Sequence, residues 1–272
     1  MIEKIQYINH QNEVLDFGKN GLYIAENDLR NYRWKPLMQN NRITGFQKEP
    51  TTKMLPIILK TENNGAEFKN RLFETFEKDV IANKPGKIVV NGYYLKCFIV
   101  DNAKTDYMVA DNRLKTKVKI ITDFPWWIKE TTTKFNYTPA YNEGTNLDYP
   151  YDFPYDYASN LLTTGLNNTN FVDSNFRMVI YGPCETPAVT IAGHTYKVKA
   201  SLAANEFLTI DSVNKTIVKT LANGNTKNCF NFRDKKSYIF QKIPAGVLTV
   251  ASSSNFKFDV ILLEERSEPK WI

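Results

Sequence analysis

Apolar and polar residues alternate over short stretches along most of the chain, which is the period of a half-buried β-strand. One such stretch, residues 118–124, is rich in β-branched residues and stops before Pro125. Proline cannot donate a ladder hydrogen bond, so the strand ends or reaches a sheet edge there. Trp126 and Trp127 follow. Because neighbouring side chains on an extended chain point to opposite sides, either one tryptophan packs in the core and one at its rim, or the two serve two bodies.

The first 60 residues contain further short extended segments. Tyr32 and Trp34 alternate with basic residues as in a half-buried strand, and Met54–Leu59 is an apolar run interrupted by Pro56. The proline predicts an edge strand or a bent strand. The other candidates lie at residues 5–8, 15–17 and 22–24.

One segment has helical periodicity, from about Gly65 to Ala82. Its apolar residues recur at helical spacing and predict one buried face, and Pro85-Gly86 ends the helix. The apolar face consists of Phe68, Leu72, Phe73, Phe76 and Val80.

Asn91-Gly92 separates two strand-like runs and predicts a type I′ hairpin, since both residues tolerate positive φ. Residues 131–133 and 142–146 are typical of linkers or loops. Beyond residue 175, short apolar runs recur with turn signals about every ten residues, which predicts a β-sandwich. We therefore expect a mainly β protein: an N-terminal β-sandwich-like domain with one helix and a hairpin (residues 1–133), and a C-terminal β-sandwich (residues 134–272). The predicted C-terminal strands lie at residues 176–181, 188–191, 196–200, 207–210, 216–221, 229–232, 237–240, 247–251 and 256–263.

Composition excludes several classes of protein. Apolar content is 42% and charged content 24%, as in a globular protein. The net charge is +6, but the lysines are scattered and no nucleic-acid motif accompanies them. Three widely spaced cysteines fit reduced thiols made in a cytoplasm. The polar N-terminus does not resemble a signal peptide, and no apolar run has the length of a membrane span.

The sequence offers little chemistry. The two histidines, His10 and His194, stand far apart, so we expect no metal site. No nucleotide-binding or hydrolase motif occurs, and we expect neither a cofactor nor catalysis. Residues 149–157 repeat aromatic, proline and aspartate residues. This segment predicts a loop packed on the sandwich, with two rivals: a wall hydrolase using Asp152 and Asp156, or a carbohydrate-binding module whose glycan contacts are Tyr151, Phe153, Tyr155 and Tyr157.

The order of four sequence stretches resembles the distal tail proteins (Dit) of long-tailed, non-contractile phages that infect Gram-positive bacteria. No stretch is chemically specific alone, and together they span most of the chain from residue 86 onward. They are residues 86–95 with 124–129; residues 149–157; residues 176–183 with Pro187 and 191–193; and residues 208–212 with 215–216, 243–246 and 265–271.

The resemblance implies a structural hub of the virion, assembled in the host cytoplasm. Its N-terminal domain would form a homohexameric ring between the tail tube protein and the tail-associated tip protein. A galectin-like C-terminal sandwich would sit outside and carry receptor-binding proteins, and DNA would only pass through the channel. We expect Asn91, Gly92, Trp126, Trp127 and Trp271 at interfaces. A fragment ending near Thr133 is expected to form rings.

Overall fold

The computed structural model describes residues 3–18, 21–60, 65–108, 113–136 and 164–271. The described chain is built mainly of antiparallel strands, with one α-helix and one short 3-10 helix. This confirms the predicted mainly β fold. Two compact units divide the chain: unit 1 comprises residues 1–129 and 265–272, and unit 2 comprises residues 130–264.

Unit 1 is organised around one long strand, β8. The first half of β8 pairs with β7 and its second half pairs with β9. One path runs β8-β7-β1-β2 and another runs β8-β9-β6-β3, with α1 in contact with β8. The elements are β1 Ile5–Ile8, β2 Val14–Phe17, β3 Leu22–Ile24, β4 Lys35–Gln39, β5 Arg42–Gln47, β6 Thr51–Lys60, α1 Gly65–Ala82, β7 Gly86–Val90, β8 Tyr93–Met108, β9 Arg113–Thr122 and β10 Trp127–Phe135, whose last residues belong to unit 2.

The predicted hairpin is present between β7 and β8. Val90 pairs with Tyr93, and the two turn residues Asn91 and Gly92 have φ of 51° and 82°. Both values are positive, as a type I′ turn requires. A Cβ atom disfavours positive φ. Glycine has no Cβ atom, and asparagine tolerates positive φ better than most other residues, so this pair suits the turn.

Unit 2 is a β-sandwich. One sheet has the order β19-β18-β17-β12-β21-β10 and the other β11-β20-β14-β15. A single core cluster draws on both sheets, with Phe176 and Ile210 from the first and Val189 and Val250 from the second. The elements are β11 Thr164–Asn168, β12 Asn175–Tyr181, β13 Cys184–Glu185, β14 Ala188–Ile191, β15 His194–Lys197, β16 Ser201–Leu202, β17 Phe207–Asp211, β18 Thr216–Thr220, β19 Thr226–Asn228, the 3-10 helix Phe230–Phe232, β20 Gly246–Ser252 and β21 Phe258–Arg266.

The unit boundaries differ from the predicted boundary at residue 133. Residues 131–133 lie inside β10 instead of forming a linker, because consecutive threonines are β-branched and suit a strand. Unit 1 also includes residues 265–272, which the sequence assigned to the C-terminal domain. Assignment of the tail requires tertiary contacts that a sequence pattern does not contain.

Several local predictions were wrong. Residues 230–232 form a 3-10 helix, residues 237–240 form no strand, and Tyr32 and Trp34 precede β4. Strand β6 pairs on both sides, with β3 and β9, although Pro56 predicted an edge or a bend. The pairing of β3 with β6 ends at Ile24 and Ile57, so Pro56 lies just beyond it and its missing N–H interrupts no bond to β3.

Candidate functional site

The helix α1 buries a polar side chain in unit 1. Asp79 is fully buried, and its Oδ2 accepts a hydrogen bond from the hydroxyl of Tyr7 at 2.5 Å. Its Oδ1 accepts one from the backbone N–H of His10 at 2.8 Å, and Nδ1 of His10 lies 2.5 Å from the same oxygen. Burial first, and the bond to Asp79 second, raise the pKa of Tyr7, so the phenol stays protonated and donates. The network fastens α1 to β1 and to the turn after it.

The sequence pattern missed this network because it placed Val80 on the buried face. In the structure Leu72, Thr75, Phe76 and Asp79 are buried, and Val80 is exposed. Residue 79 follows Leu72 by seven positions and Phe76 by three, so helical spacing does place it on the apolar stripe. The pattern of apolar residues did not include Asp79 because it is charged, and a carboxylate is seldom buried without partners.

Two of the three thiols have raised pKa values, and the described residues contain no cluster of metal ligands. Burial raises the pKa of Cys97 to about 12 and also raises the pKa of Cys184, whereas a reactive cysteine has a lowered pKa. No group of three His, Cys, Asp or Glu side chains in the described ranges is arranged to hold a metal ion. His194 instead places Nε2 2.9 Å from the carbonyl oxygen of Tyr238. The helices of the described chain include none with the length and apolarity to cross a membrane.

The C-terminal tail and the Asn91-Gly92 turn meet in unit 1. The side-chain amide of Asn91 donates to Oε1 of Glu3 at 3.2 Å and to the carbonyl of Lys270 at 3.5 Å. The guanidinium of Arg30 pairs with Glu3, donates to the carbonyl of Pro269 at 2.6 Å and lies 3.6 Å from the ring centroid of Trp271. The turn and the tail, two of the predicted interface regions, therefore lie side by side within unit 1.

Trp126 and Trp127 occupy different environments. Trp127 is 1% exposed and belongs to the core of unit 1. Trp126 is half-buried, packs edge-on against Trp34 with ring centroids 5.3 Å apart, and lies under the ammonium of Lys48 at 4.1 Å. Of the two arrangements considered from the sequence, this is the one with a core tryptophan and a rim tryptophan.

The hairpin β4–β5 is a separate two-stranded sheet in unit 1. Its residues are exposed, apart from the partly buried Gly45. Met38 and Phe46 are both 60% exposed, and Leu37 and Ile43 are exposed beside them. An isolated two-stranded hairpin is marginally stable in water, and its exposed apolar side chains are candidates for contact with a partner. We call the four side chains Leu37, Met38, Ile43 and Phe46 the hairpin surface.

The glycan-contact candidates Tyr151, Phe153, Tyr155 and Tyr157 lie outside the described residues, as do Asp152 and Asp156. Unit 2 does contain a cleft of about 610 Å³ beside the exposed ring of Tyr238. The ammonium of Lys215 lies 5.5 Å from the centroid of that ring. This cleft combines an aromatic face with positive charge, a feature the sequence pattern did not indicate.

Comparison with known proteins gives a match at the level of structure. No protein-family model matches the chain, and no curated protein matches it. A chain of the phage P2 baseplate in its activated conformation with calcium aligns with 99% of this chain and 100% of its own length, at a TM-score of 0.64 and 14% identity. The same baseplate with strontium gives a TM-score of 0.63 and 14% identity.

The Dit protein of phage SPP1 also aligns, over 98% of this chain and all of its own length, at a TM-score of 0.59 and 10% identity. That protein is described as a paradigm of the hub adsorption apparatus in phages that infect Gram-positive bacteria. The chain has the fold of a phage Dit hub protein. The match to the Dit fold includes both units, because the alignment leaves almost no residue of either chain uncovered.

Proposed function

We propose that this protein is a structural, non-catalytic hub of a phage tail tip. It assembles as a hexameric ring that joins the tail tube to the tail-associated tip protein and carries receptor-binding proteins on its outer side. DNA passes through the ring without specific recognition. Assembly takes place in the host cytoplasm, and the finished hub belongs to the virion.

The observation that carries the proposal is the end-to-end likeness to baseplate and hub chains, over 98% of this chain or more. A likeness restricted to one β-sandwich would have little functional weight, because such sandwiches serve many functions. Here the likeness extends over both units of this chain. The arrangement of the four sequence stretches that resemble the family supports the same conclusion.

The hairpin surface supplies a contact for the ring. A closed ring uses two different patches of each subunit, repeated around the axis, and apolar side chains such as Met38 and Phe46 lose solvent contact in such an interface. The turn at Asn91-Gly92 and the side chain of Trp271, which is 72% exposed, are further candidates. Of the two adjacent tryptophans, Trp126 alone remains an interface candidate, because Trp127 is in the core.

The test uses the purified full chain. Multi-angle light scattering at micromolar concentration and negative-stain images are expected to show a hexamer with a central hole. The double variant Met38→Lys with Phe46→Lys is expected to shift the hexamer to smaller species without loss of far-UV circular dichroism. Val247→Lys is the matched control, since Val247 is 81% exposed on β20 of unit 2. A wild-type protein that stays monomeric contradicts the proposal.

A second candidate function, glycan binding by unit 2, is favoured by the cleft beside Tyr238 and Lys215. Exposed aromatic faces stack on sugar rings, and a nearby cation suits an acidic sugar or a phosphate-linked polymer. A glycan array with the full chain tests it, with Tyr238→Ala as the comparison. Binding lost in this variant supports a glycan site at the cleft, and absence of binding by the wild type rejects it.

A further inference from the structure

Unit 1 contains a cavity of about 370 Å³ that neither the fold nor the proposed ring explains. Its walls include Tyr32, Trp34, Lys48, Lys53, Pro125 and Trp127. The volume lies in the range of ordinary small-ligand pockets, which are mainly apolar with a few polar groups. Here most of the charged side chains in the lining are cationic.

The cationic groups outnumber the acidic ones. Arg33, Lys35, Lys48 and Lys53 line the cavity, and Glu49 is its only acidic lining residue in the described chain. Nζ of Lys35 pairs with Oε1 of Glu49 at 2.5 Å. Within the described residues Arg33 and Lys48 form no ion pair, and Lys53 is attracted by the carboxylate of Asp28 without pairing with it.

Lys48 and Lys53 satisfy their ammonium groups with backbone carbonyls instead. Nζ of Lys48 donates to Pro125 at 3.0 Å. Nζ of Lys53 donates to Asp28 at 3.1 Å and to Asn31 at 2.5 Å, in both cases to the main-chain oxygen. The carboxylate of Asp28 attracts Lys53 and accepts a bond from the N–H of Met54 at 2.9 Å. Within the described ranges neither lysine forms an ion pair.

Aromatic rings keep water from the ammonium of Lys48. Its Nζ lies 4.1 Å from the ring centroid of Trp126, 5.2 Å from that of Trp34 and 5.8 Å from that of Tyr32. This desolvation, and next the charge of Lys53, lower the pKa of Lys48 to about 8, and burial also lowers the pKa of Lys53. Two partly desolvated cations that repel each other are stabilised by any anion placed between them and the solvent.

We propose that this cavity binds a carboxylate delivered by a protein partner, an aspartate or glutamate side chain or a chain terminus, held by the ammonium groups of Lys48 and Lys53. The aromatic and proline walls contact the methylene groups that carry the carboxylate. A free inorganic anion has no such apolar part. The site therefore favours an acidic peptide segment over phosphate, and it adds a docking function that the ring does not require.

Proton uptake is the signature of this site. A bound carboxylate favours the charged form of Lys48 and raises its pKa, so binding near pH 8 takes up protons. Affinity falls as the pH rises above that value. The charged groups that share the cavity are Arg33, the Lys35–Glu49 pair and Lys53, whose pKa burial also lowers. Lys53 therefore contributes to the proton uptake in the same direction as Lys48.

The experiment uses isothermal titration of the full chain in buffers of different ionisation enthalpy. The probes are the peptide acetyl-Ala-Glu-Glu-Ala-amide, its Gln-Gln counterpart and inorganic phosphate. The acidic peptide is expected to bind with proton uptake and to change the tryptophan fluorescence, while the glutamine peptide does not bind. Lys48→Met is expected to weaken binding of the acidic peptide by about tenfold or more.

Two further variants keep the result interpretable. Lys48→Arg retains a permanent positive charge, so it is expected to bind the acidic peptide with less proton uptake than the wild type and with a smaller loss of affinity above about pH 8. Lys96→Met, on an exposed position of β8, is expected to bind like the wild type. Any one of four outcomes overturns the proposal. They are phosphate binding as tight as peptide binding, equal binding of the two peptides, unchanged affinity in Lys48→Met, and no saturable binding of the acidic peptide. Because the readout is peptide binding, ring formation can fail independently.

Discussion

The hydroxyl of Tyr7 donates a 2.5 Å hydrogen bond to Oδ2 of Asp79, across 72 positions of sequence. Both side chains are fully buried. The bond joins the first strand of unit 1 to the last turn of its helix, and His10 completes the coordination of the carboxylate. Removing one partner of such a buried network leaves a charge or a donor uncompensated.

Asp79→Asn is expected to lower the free energy of unfolding by about 3 kcal/mol, because an amide nitrogen replaces one of the two acceptor oxygens in a buried site. Tyr7→Phe is expected to lower it by about 1–3 kcal/mol. The double variant loses less than the sum, since both changes remove the same bond. Denaturant unfolding measures all three. Glu77→Gln, exposed on the same helix, is the control and stays within about 0.5 kcal/mol of wild type.

Gly86→Ala is expected to destabilise unit 1 by several kcal/mol. A Cβ atom at this position would overlap Oδ2 of Asp79 and lie 2.5 Å from the hydroxyl of Tyr7, and a packed interior has no room to move both. Gly45→Ala is the matched control, because its Cβ would make only an ordinary contact of 3.6 Å with Leu37. Thermal unfolding of both proteins distinguishes them, and equal melting temperatures contradict the close packing at Gly86.

Replacement of the two adjacent tryptophans one at a time separates their roles. Trp127→Ala is expected to lower the free energy of unfolding by about 3–5 kcal/mol, as for other large core truncations. Trp126→Ala is expected to lower it by about 1–2 kcal/mol, through loss of its contacts with Trp34 and Lys48. Guanidinium unfolding of each variant provides the numbers. Equal effects would mean that both side chains, or neither, belong to the core.

Lys48 makes the free energy of unfolding of this protein depend on pH in the alkaline range. The pKa of this amine is about 8 in the folded protein and 10.5 at its ordinary value. Between these values the unfolded chain holds a proton that the folded chain has released, so the contribution of Lys48 to the free energy of unfolding rises with pH. The free energy of unfolding of the wild type minus that of Lys48→Met is expected to increase from about pH 8 to about pH 10.5. Lys96→Met keeps the wild-type slope, and a flat difference for Lys48→Met rejects the shift.

A fragment ending near Thr133 was expected from the sequence to form rings, but it does not contain all of unit 1. The fragment lacks residues 265–272, which belong to unit 1, and with them the Pro269 carbonyl and the Trp271 ring that contact Arg30. A sequence pattern could not show this, because the tail joins unit 1 through contacts some 240 positions away in the chain. The full chain is therefore the better material for the ring experiment.

The sequence alone determined the features that depend on neighbouring residues. Helix α1 has the predicted bounds, Gly65 to Ala82, because its apolar spacing and the Pro85-Gly86 stop are local signals. The turn at Asn91-Gly92 formed because these two residues tolerate positive φ. The mainly β composition of both units followed from the alternation of apolar residues and the turn signals between them.

Which distant residues meet depends on the tertiary structure. It places Asp79 beside Tyr7, Trp271 of the tail beside Arg30, and the rings of Trp34 and Trp126 beside the ammonium of Lys48. Sheet order and packing depend on pairing between strands far apart in sequence, and no short-range propensity encodes that pairing. The local pattern therefore specified the elements, whereas the candidate sites arose from their assembly.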